Sequence, residues 1–322
     1  MGGDFGPEVA VDGAILALGR TEDEIVLVGQ QEVLKSLLAG RGVRHRRLHI
    51  VHASEVVGMH ERAKDSLRKG DSSITVAMQL VKAGEADAVV SAGHTGAAVA
   101  AAIMNWRALP GIHRPAIAWT IPAREIPSVL LDVGATVNCK PIHLYHFAVM
   151  GSAFVERVLG VQHPTVGLLN IGEEESKGNE VTFQAAQLLE KSHLHFTGNA
   201  EGRDVVSGQF NVMVCDGFVG NIILKFAEAL AEWLMTSLKG ELTKNVLATL
   251  GALAMKPAFR SLKRRIDYAE YGGAPLLGLN GVCIICHGSS NAKAIANAIR
   301  VAGETVRQEL NKHICAKLRD GK

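Results

Sequence analysis

The stretch Ala88-Val89-Val90-Ser91-Ala92-Gly93-His94-Thr95-Gly96-Ala97-Ala98 decides the fold. Its β-branched start suits a strand, Gly93 and Gly96 bracket a polar pair, and the alanine-rich run that follows has the propensity and period of a helix. A strand that enters a helix through a small-residue turn is one βα unit. The same phrase recurs at Leu130-Leu131-Asp132-Val133-Gly134-Ala135, at Leu168-Leu169-Asn170-Ile171-Gly172 and at Val214-Cys215-Asp216-Gly217-Phe218-Val219-Gly220-Asn221. The repetition predicts an α/β protein with a parallel sheet covered by helices on both faces.

Working outward, candidate strands cover Glu24–Val28, Leu48–His52, Ala88–Ser91, Ala116–Thr120, Val129–Asp132, Thr165–Asn170, Leu194–Thr197, Val212–Cys215 and Val282–Cys286. Helical period covers Pro7–Leu18, Gln31–Ala39, Ser73–Ala83, Thr95–Trp106, Pro141–Leu159, Asn179–Lys191, Gly220–Lys239 and Asn291–Glu309. No internal repeat or low-complexity linker divides the 322 residues, so 1–322 reads as a single catalytic α/β unit. With 34 Lys+Arg against 32 Asp+Glu, the net charge of +2 gives no argument for nucleic-acid binding. No apolar run approaches the roughly 20 residues of a membrane span, and the first residues lack the pattern of a signal peptide. Five cysteines suit reduced thiols in a cytosol better than a disulfide framework.

In open α/β sheets, ligands sit at the carboxyl ends of strands, where helix N-termini attract anions. Four glycine loops of this kind together suggest a phosphate or carboxylate cradle. The loop Gly172-Glu173-Glu174-Glu175-Ser176-Lys177-Gly178-Asn179 reads either as a solvated charged loop or as one that reaches Lys177 into the cleft. Cys283-Ile284-Ile285-Cys286-His287 has the spacing of a haem attachment site, but 283 and 286 face opposite sides of a strand, so these read as core thiols. His287-Gly288-Ser289-Ser290 lies where that strand ends and enters the same cleft. His143 and His146 share a helix face without a partner that completes a zinc signature. The motifs of P-loop NTPases, serine hydrolases and standard nicotinamide dehydrogenases are missing.

One stretch breaks the composition. From Lys239 to Arg265 there are seven basic residues against the single acid Glu241. Val246, Leu247, Leu250, Leu253 and Ala254 recur there at helical spacing, and Pro257 separates them from a second basic segment. Residues 239–270 therefore read as a protruding cationic amphipathic helical hairpin. Leu247, Leu250, Leu253 and Ala254 would lie in a lipid interface or, alternatively, form an intramolecular or dimer contact. Arg260, Lys263, Arg264 and Arg265 would attract an acidic partner or anionic headgroups.

Together these motifs resemble the phosphate acyltransferases of bacterial phospholipid synthesis, which make acyl phosphate from acyl-[acyl carrier protein]. The matching blocks are Met1-Gly2-Gly3-Asp4, Ser91 to Ala97, Gly111 to Ala116, Leu131 to Ala135, Leu168 to Glu180, Gly198 to Asp204, Asp216 to Asn221, Tyr271 to Gly278 and His287 to Ser290. The resemblance implies a three-layer α/β/α sandwich like isocitrate dehydrogenase and phosphotransacetylase, working as a homodimer. It also implies a cytoplasmic enzyme, peripheral on the inner face of the membrane, that hands its product to a membrane-bound glycerol-3-phosphate acyltransferase.

Inorganic phosphate would itself be the nucleophile, so no cofactor or metal is expected. The implied catalytic residues are Lys177, Asn221, Asn170 and His287. Phosphate and substrate would be held by Gly3, Asp4, Ser91, Gly93, His94, Thr95, Gly96, Asp132, Gly134, Asp216, Gly217, Gly220 and Ser289, with the amides of Gly217 to Gly220 cradling phosphate. Arg260, Lys263, Arg264 and Arg265 would dock the carrier protein. The family usually has a strand ending in Asp-Ala before the Met-Gly-Gly-Asp block, which this sequence lacks, and His94 stands where the family typically has Asn.

Overall fold

The computed structural model describes residues 1–121, 128–259 and 268–320. The first part of the chain forms α1 (Pro7–Leu18), β1 (Ile25–Gly29), α2 (Gln31–Gly40), β2 (Leu48–His52), α3 (Ala63–Ser66), α4 (Ser73–Ala83), β3 (Ala88–Ser91) and α5 (Thr95–Asn105). The middle forms β4 (Ala116–Ile121), β5 (Ser128–Leu131), α6 (Pro141–Arg157), β6 (Thr165–Leu169), α7 (Glu180–Glu190), β7 (His195–Ala200) and β8 (Val212–Val214). After these come α8 (Gly217–Leu242), α9 (Val246–Ala254), β9 (Ala274–Leu277), β10 (Val282–Ile285), α10 (Ala292–Arg307) and α11 (Leu310–Asp320).

The sheet is mixed, which corrects the expectation of a parallel one. Eight strands pair in the order β3-β10-β9-β4-β5-β8-β6-β7, and β1 pairs with β2 in a separate parallel ribbon. β9 is antiparallel to β10 and to β4, and β4 is antiparallel to β5. The carboxyl ends of β3, β10 and β4 therefore leave one edge, and those of β5, β8, β6 and β7 leave the other. Local period registers a strand and is blind to its direction, because direction is set by which distant strand becomes the neighbour. β9 escaped the sequence reading because Ala274-Pro275-Leu276-Leu277 holds a proline, which lacks the N–H a central strand normally donates. α11 also went unread.

Alternation across the strands builds the three layers. Ala116, Ala118, Val129, Leu131, Val212 and Val214 point to one face, where α6, α7 and α11 cover them. Ile117, Leu130 and Met213 point to the other, against Met78 of α4 and Ala101, Ala102 and Trp106 beside them. Cys283 joins the second face and Cys286 a separate cluster with Ile295 of α10, so these thiols are core residues on opposite sides. β1 packs with α1 and α2 in its own cluster. Met1 lies against Gly29, and Gly2 and Gly3 lie against Gly93 and Ala92, so these first residues run between the ends of β1 and β3.

Two glycines set where α8 enters. A Cβ on Gly220 would stand 1.9 Å from the Asp132 carbonyl oxygen, and one on Gly217 would stand 2.6 Å from its Oδ2. Only a residue without a side chain allows the helix to start this close to the β5 loop.

Candidate active site

The register Leu131↔Val214↔Leu168 brings the loops that begin at Asp132, Asp216 and Asn170 out at one sheet edge from neighbouring strands. Asp132 is the post around which its loop is wound. Its side chain is fully buried, and Oδ1 accepts from the N–H groups of Ile117 (2.8 Å), Gly134 (3.1 Å) and Ala135 (3.0 Å), while Oδ2 accepts from Thr136 N–H (2.6 Å). Burial raises its pKa above the ordinary carboxylate value, with the four donors acting in the opposite sense. With no exposure and both oxygens engaged by backbone N–H groups, the Asp132 carboxylate holds its loop in place and is turned away from the cleft where it was expected to bind phosphate.

The amides of Gly217 to Gly220 are likewise occupied, which corrects their assignment as a phosphate cradle. Gly217 N–H donates to the Thr136 carbonyl (2.9 Å), Phe218 and Val219 N–H both donate to Asp216 Oδ1 (2.9 Å), and Gly220 N–H donates to the Asp216 carbonyl (3.0 Å). Asp216 is thus the N-cap of α8, and its carboxylate already fills the positive end of the helix. Asn221 lies inside the helix, exposed, with its amide next to Gly134.

The Asn170 loop is organised by that side chain. Its Nδ2 donates to the Lys177 carbonyl (2.9 Å) and its Oδ1 accepts from Ile171 N–H (2.9 Å), so Asn170 braces the loop that carries Lys177. Arg203 pairs with Glu173 (2.8 Å) and Glu201 (2.9 Å), and Asn199 Nδ2 donates to the Glu174 carbonyl (3.0 Å). The Lys177 side chain crosses Gly172 and is exposed. Among the described residues its ammonium has no ion-pair partner, which leaves it available to an anion.

A second group forms at the opposite edge. Gly3 (φ 96°) fits between the carbonyls of Ala92 and Gly288, and Asp4 N–H donates to the Gly288 carbonyl (3.0 Å). Ser91 Oγ accepts from Gly93 N–H (3.4 Å). His94 Nδ1 accepts from Ala97 N–H (3.1 Å), so the imidazole caps α5 as an Asn carbonyl would. This cap leaves the Thr95 and Gly96 amides at the helix start without an acceptor among the described residues. His287 Nδ1 lies 2.7 Å from Ser289 Oγ, and its Nε2 stands 3.3 Å from Lys225 Nζ and 3.9 Å from Glu228.

α8 ties the two groups together. Asn221, Lys225 and Glu228 recur at i, i+4 and i+7, so one face of the helix presents an amide beside Gly134 and an ammonium beside His287. The sequence reading missed Lys225 and Glu228. Their signal was a polar stripe on an otherwise apolar helix. Among the described residues no hydrogen bond or ion pair joins the Lys177 side chain to this stripe.

Of the expected 239–270 hairpin the structure describes the end of α8, α9 and residues 255–259 and 268–270, and the apolar residues of α9 lie in solvent. α9 buries none of its residues; Leu247 is 82% exposed, with Leu250, Leu253 and Ala254 also exposed. That excludes the intramolecular contact among the alternatives. On α8, Phe218, Ile222, Phe226, Leu230 and Trp233 make a second exposed stripe away from the Asn221 face. Arg260, Lys263, Arg264 and Arg265 lie outside the described residues.

Comparison with known proteins places this geometry in a family. Residues 1–313 match the model of the family described as fatty acid synthesis protein. Over 319 residues the chain is 50% identical to a phosphate acyltransferase of Syntrophotalea carbinolica, covering 99% of this chain and 92% of that one. The chain belongs to the phosphate acyltransferase family. A relative of the same name from Pelotomaculum thermopropionicum is 52% identical over 311 residues, covering 96% of this chain and 91% of that one. Membership of the phosphate acyltransferases makes the chain an acyltransferase. The architecture is that of a phosphotransacetylase from Streptococcus pyogenes, with a TM-score of 0.66, 19% identity and coverage of 95% of this chain and 93% of that one. The EutD phosphotransacetylase from Staphylococcus aureus superposes with a TM-score of 0.63 at 16% identity, covering 93% and 92%. The mixed sheet is thus a property of this fold.

Proposed function

We propose that the chain transfers an acyl group from acyl carrier protein to inorganic phosphate, on the route to acylation of glycerol 3-phosphate. The observation that carries this reading is a set of donors and cations in a member of the phosphate acyltransferases: Lys177, without an ion-pair partner among the described residues, the Asn221 amide, the Thr95 and Gly96 amides, and Lys225, which is paired with Glu228 (2.8 Å) beside His287. In this reading a phosphate oxygen attacks the thioester carbonyl carbon and a C–O bond forms. The carbonyl oxygen becomes an oxyanion, the C–S bond then breaks, and the carrier protein leaves as a thiolate that takes up a proton. Phosphate brings its own nucleophilic oxygen, so the protein's task is to hold a dianion against the carbonyl and stabilise the oxyanion. Lys225, His287 and the α5 amides suit the first task, and Lys177 and Asn221 the second.

The rival reading is a dehydrogenase or nucleotide-binding module on the same architecture. Incubation of the pure protein with long-chain acyl carrier protein and phosphate, followed by hydroxylamine trapping, separates the two. Hydroxamate that depends on phosphate is expected; its absence with an intact protein retires acyl transfer to phosphate.

The exposed stripes complete the reading. The α8 stripe is matched to its own copy in a homodimer, where Phe226 (66% exposed) and Trp233 (63% exposed) would be buried. The α9 residues Leu247, Leu250, Leu253 and Ala254 then rest on the membrane surface, from which product passes to a membrane-bound glycerol-3-phosphate acyltransferase, while Arg260, Lys263, Arg264 and Arg265 dock the carrier protein. Among the described residues no helix is long and apolar enough to cross a membrane. Trp233→Glu is expected to give monomers in sedimentation, and Leu250→Glu to keep the dimer and lose binding to anionic vesicles. Dissociation by Leu250→Glu in the absence of lipid would reassign α9 to the dimer contact.

A further inference from the structure

On the sheet face opposite α8, the helices α6, α7 and α11 and the loop at Pro110–His113 line a half-open cavity of about 720 Å³. The volume falls in the range of ligand sites, roughly 300 to 1,000 Å³. None of the residues assigned above to catalysis or phosphate binding lines it. Ile142, Tyr145, Leu188 and Leu318 make an apolar wall, Lys191 and Arg319 stand exposed at its mouth, and among the described residues no carboxylate lines it.

His146 is the observation that sets this cavity apart from a surface dent. The side chain is 4% exposed and lines the cavity. Burial first, with His113 and His143 beside it, pushes its pKa down to about 4, so the ring is neutral at pH 7. Its Nδ1 faces the His113 N–H at 3.5 Å. With Nδ1 accepting, the ring proton sits on Nε2, and among the described residues that donor has no acceptor. That atom is open to the cavity, where a ligand's acceptor can take its hydrogen bond in place of water. Lys191 and Arg319 also lie where a cation offsets the C-terminal dipoles of α7 and α11. That accounts for two charges and leaves unexplained the donor that opens into the cavity and the lack of a carboxylate among the described lining residues.

We propose that this cavity binds an aliphatic chain ending in an anionic oxygen group. The carbon atoms lie against Ile142, Leu188 and Leu318, and the anion lies among Lys191, Arg319 and His146 Nε2–H. The site is independent of the acyl-transfer reading.

Calorimetric titration of the full chain with octyl phosphate, octanoate, octanol and inorganic phosphate tests it, with each amphiphile kept below micelle formation. Octyl phosphate and octanoate are expected to bind, with octanol and inorganic phosphate at least about tenfold weaker at this site. Stronger binding of octyl phosphate would mark phosphate esters as the natural class, and stronger binding of octanoate free carboxylic acids. Arg319→Glu, on the surface, is expected to weaken the anions about tenfold or more with an unchanged unfolding midpoint, and His146→Phe to do the same where it folds. Failure of both anions to bind, equal binding of octanol, or indifference to Arg319→Glu overturns the site. So does loss of binding in Lys177→Ala together with competition by inorganic phosphate, which would place the ligand in the catalytic cleft.

Discussion

Lys177→Ala is expected to lower turnover by about 10²- to 10³-fold, the usual cost of removing one preorganised donor to a developing oxyanion. The residue is exposed, and its loop is held by Asn170, Asn199 and Arg203 and not by the ammonium, so the unfolding midpoint should not move. The size of the effect follows from where the charge is needed. Losing a cation that bound phosphate equally in ground and transition states would raise KM and spare kcat, whereas losing one aimed at the oxyanion lowers kcat. Steady-state kinetics with acyl carrier protein and phosphate varied separately make the distinction. A loss smaller than about tenfold in a folded variant would return the Glu173–Lys177 loop to the solvated reading.

Asp132→Ala should be the most damaging substitution for stability. It leaves four N–H groups, those of Ile117, Gly134, Ala135 and Thr136, without their acceptor in a site closed to water. At about 1 kcal/mol or more for each buried donor left unpaired, the cost is about 4 kcal/mol, a large share of the 5 to 15 kcal/mol that holds an ordinary domain together. Denaturant titration measures it. Activity should fall with the folded fraction, because this carboxylate shapes the Gly134 turn against which Asn221 rests. A variant that keeps its midpoint but loses phosphate affinity would instead make Asp132 a ligand.

These two residues show how far the sequence carries. Both stand in glycine loops at strand ends, and nothing in the local pattern separates the exposed lysine from the buried aspartate. The difference arises from β4, whose residue Ile117 turns its N–H onto Asp132 across 15 positions of chain. The α8 amides tell the same story. A helix start rich in glycine reads as an anion site, yet Asp216 one residue earlier supplies the anion itself.

From the sequence alone came what depends on near neighbours: most strands and helices to within a few residues, the three-layer α/β architecture, and, through motif spacing along nearly the whole chain, the acyltransferase family. Helical and strand periods, turn glycines and motif order are written in residues that sit close together, and they persist whatever lies across the sheet. Tertiary structure decided the rest. The antiparallel turn of β4 and β9 sends the glycine loops to opposite edges, and α8 then spans from the Gly134 loop to His287 and makes Lys225 and Glu228 part of the site. Strand direction and side-chain burial depend on partners tens to hundreds of residues away, so no local reading of period or composition contains them.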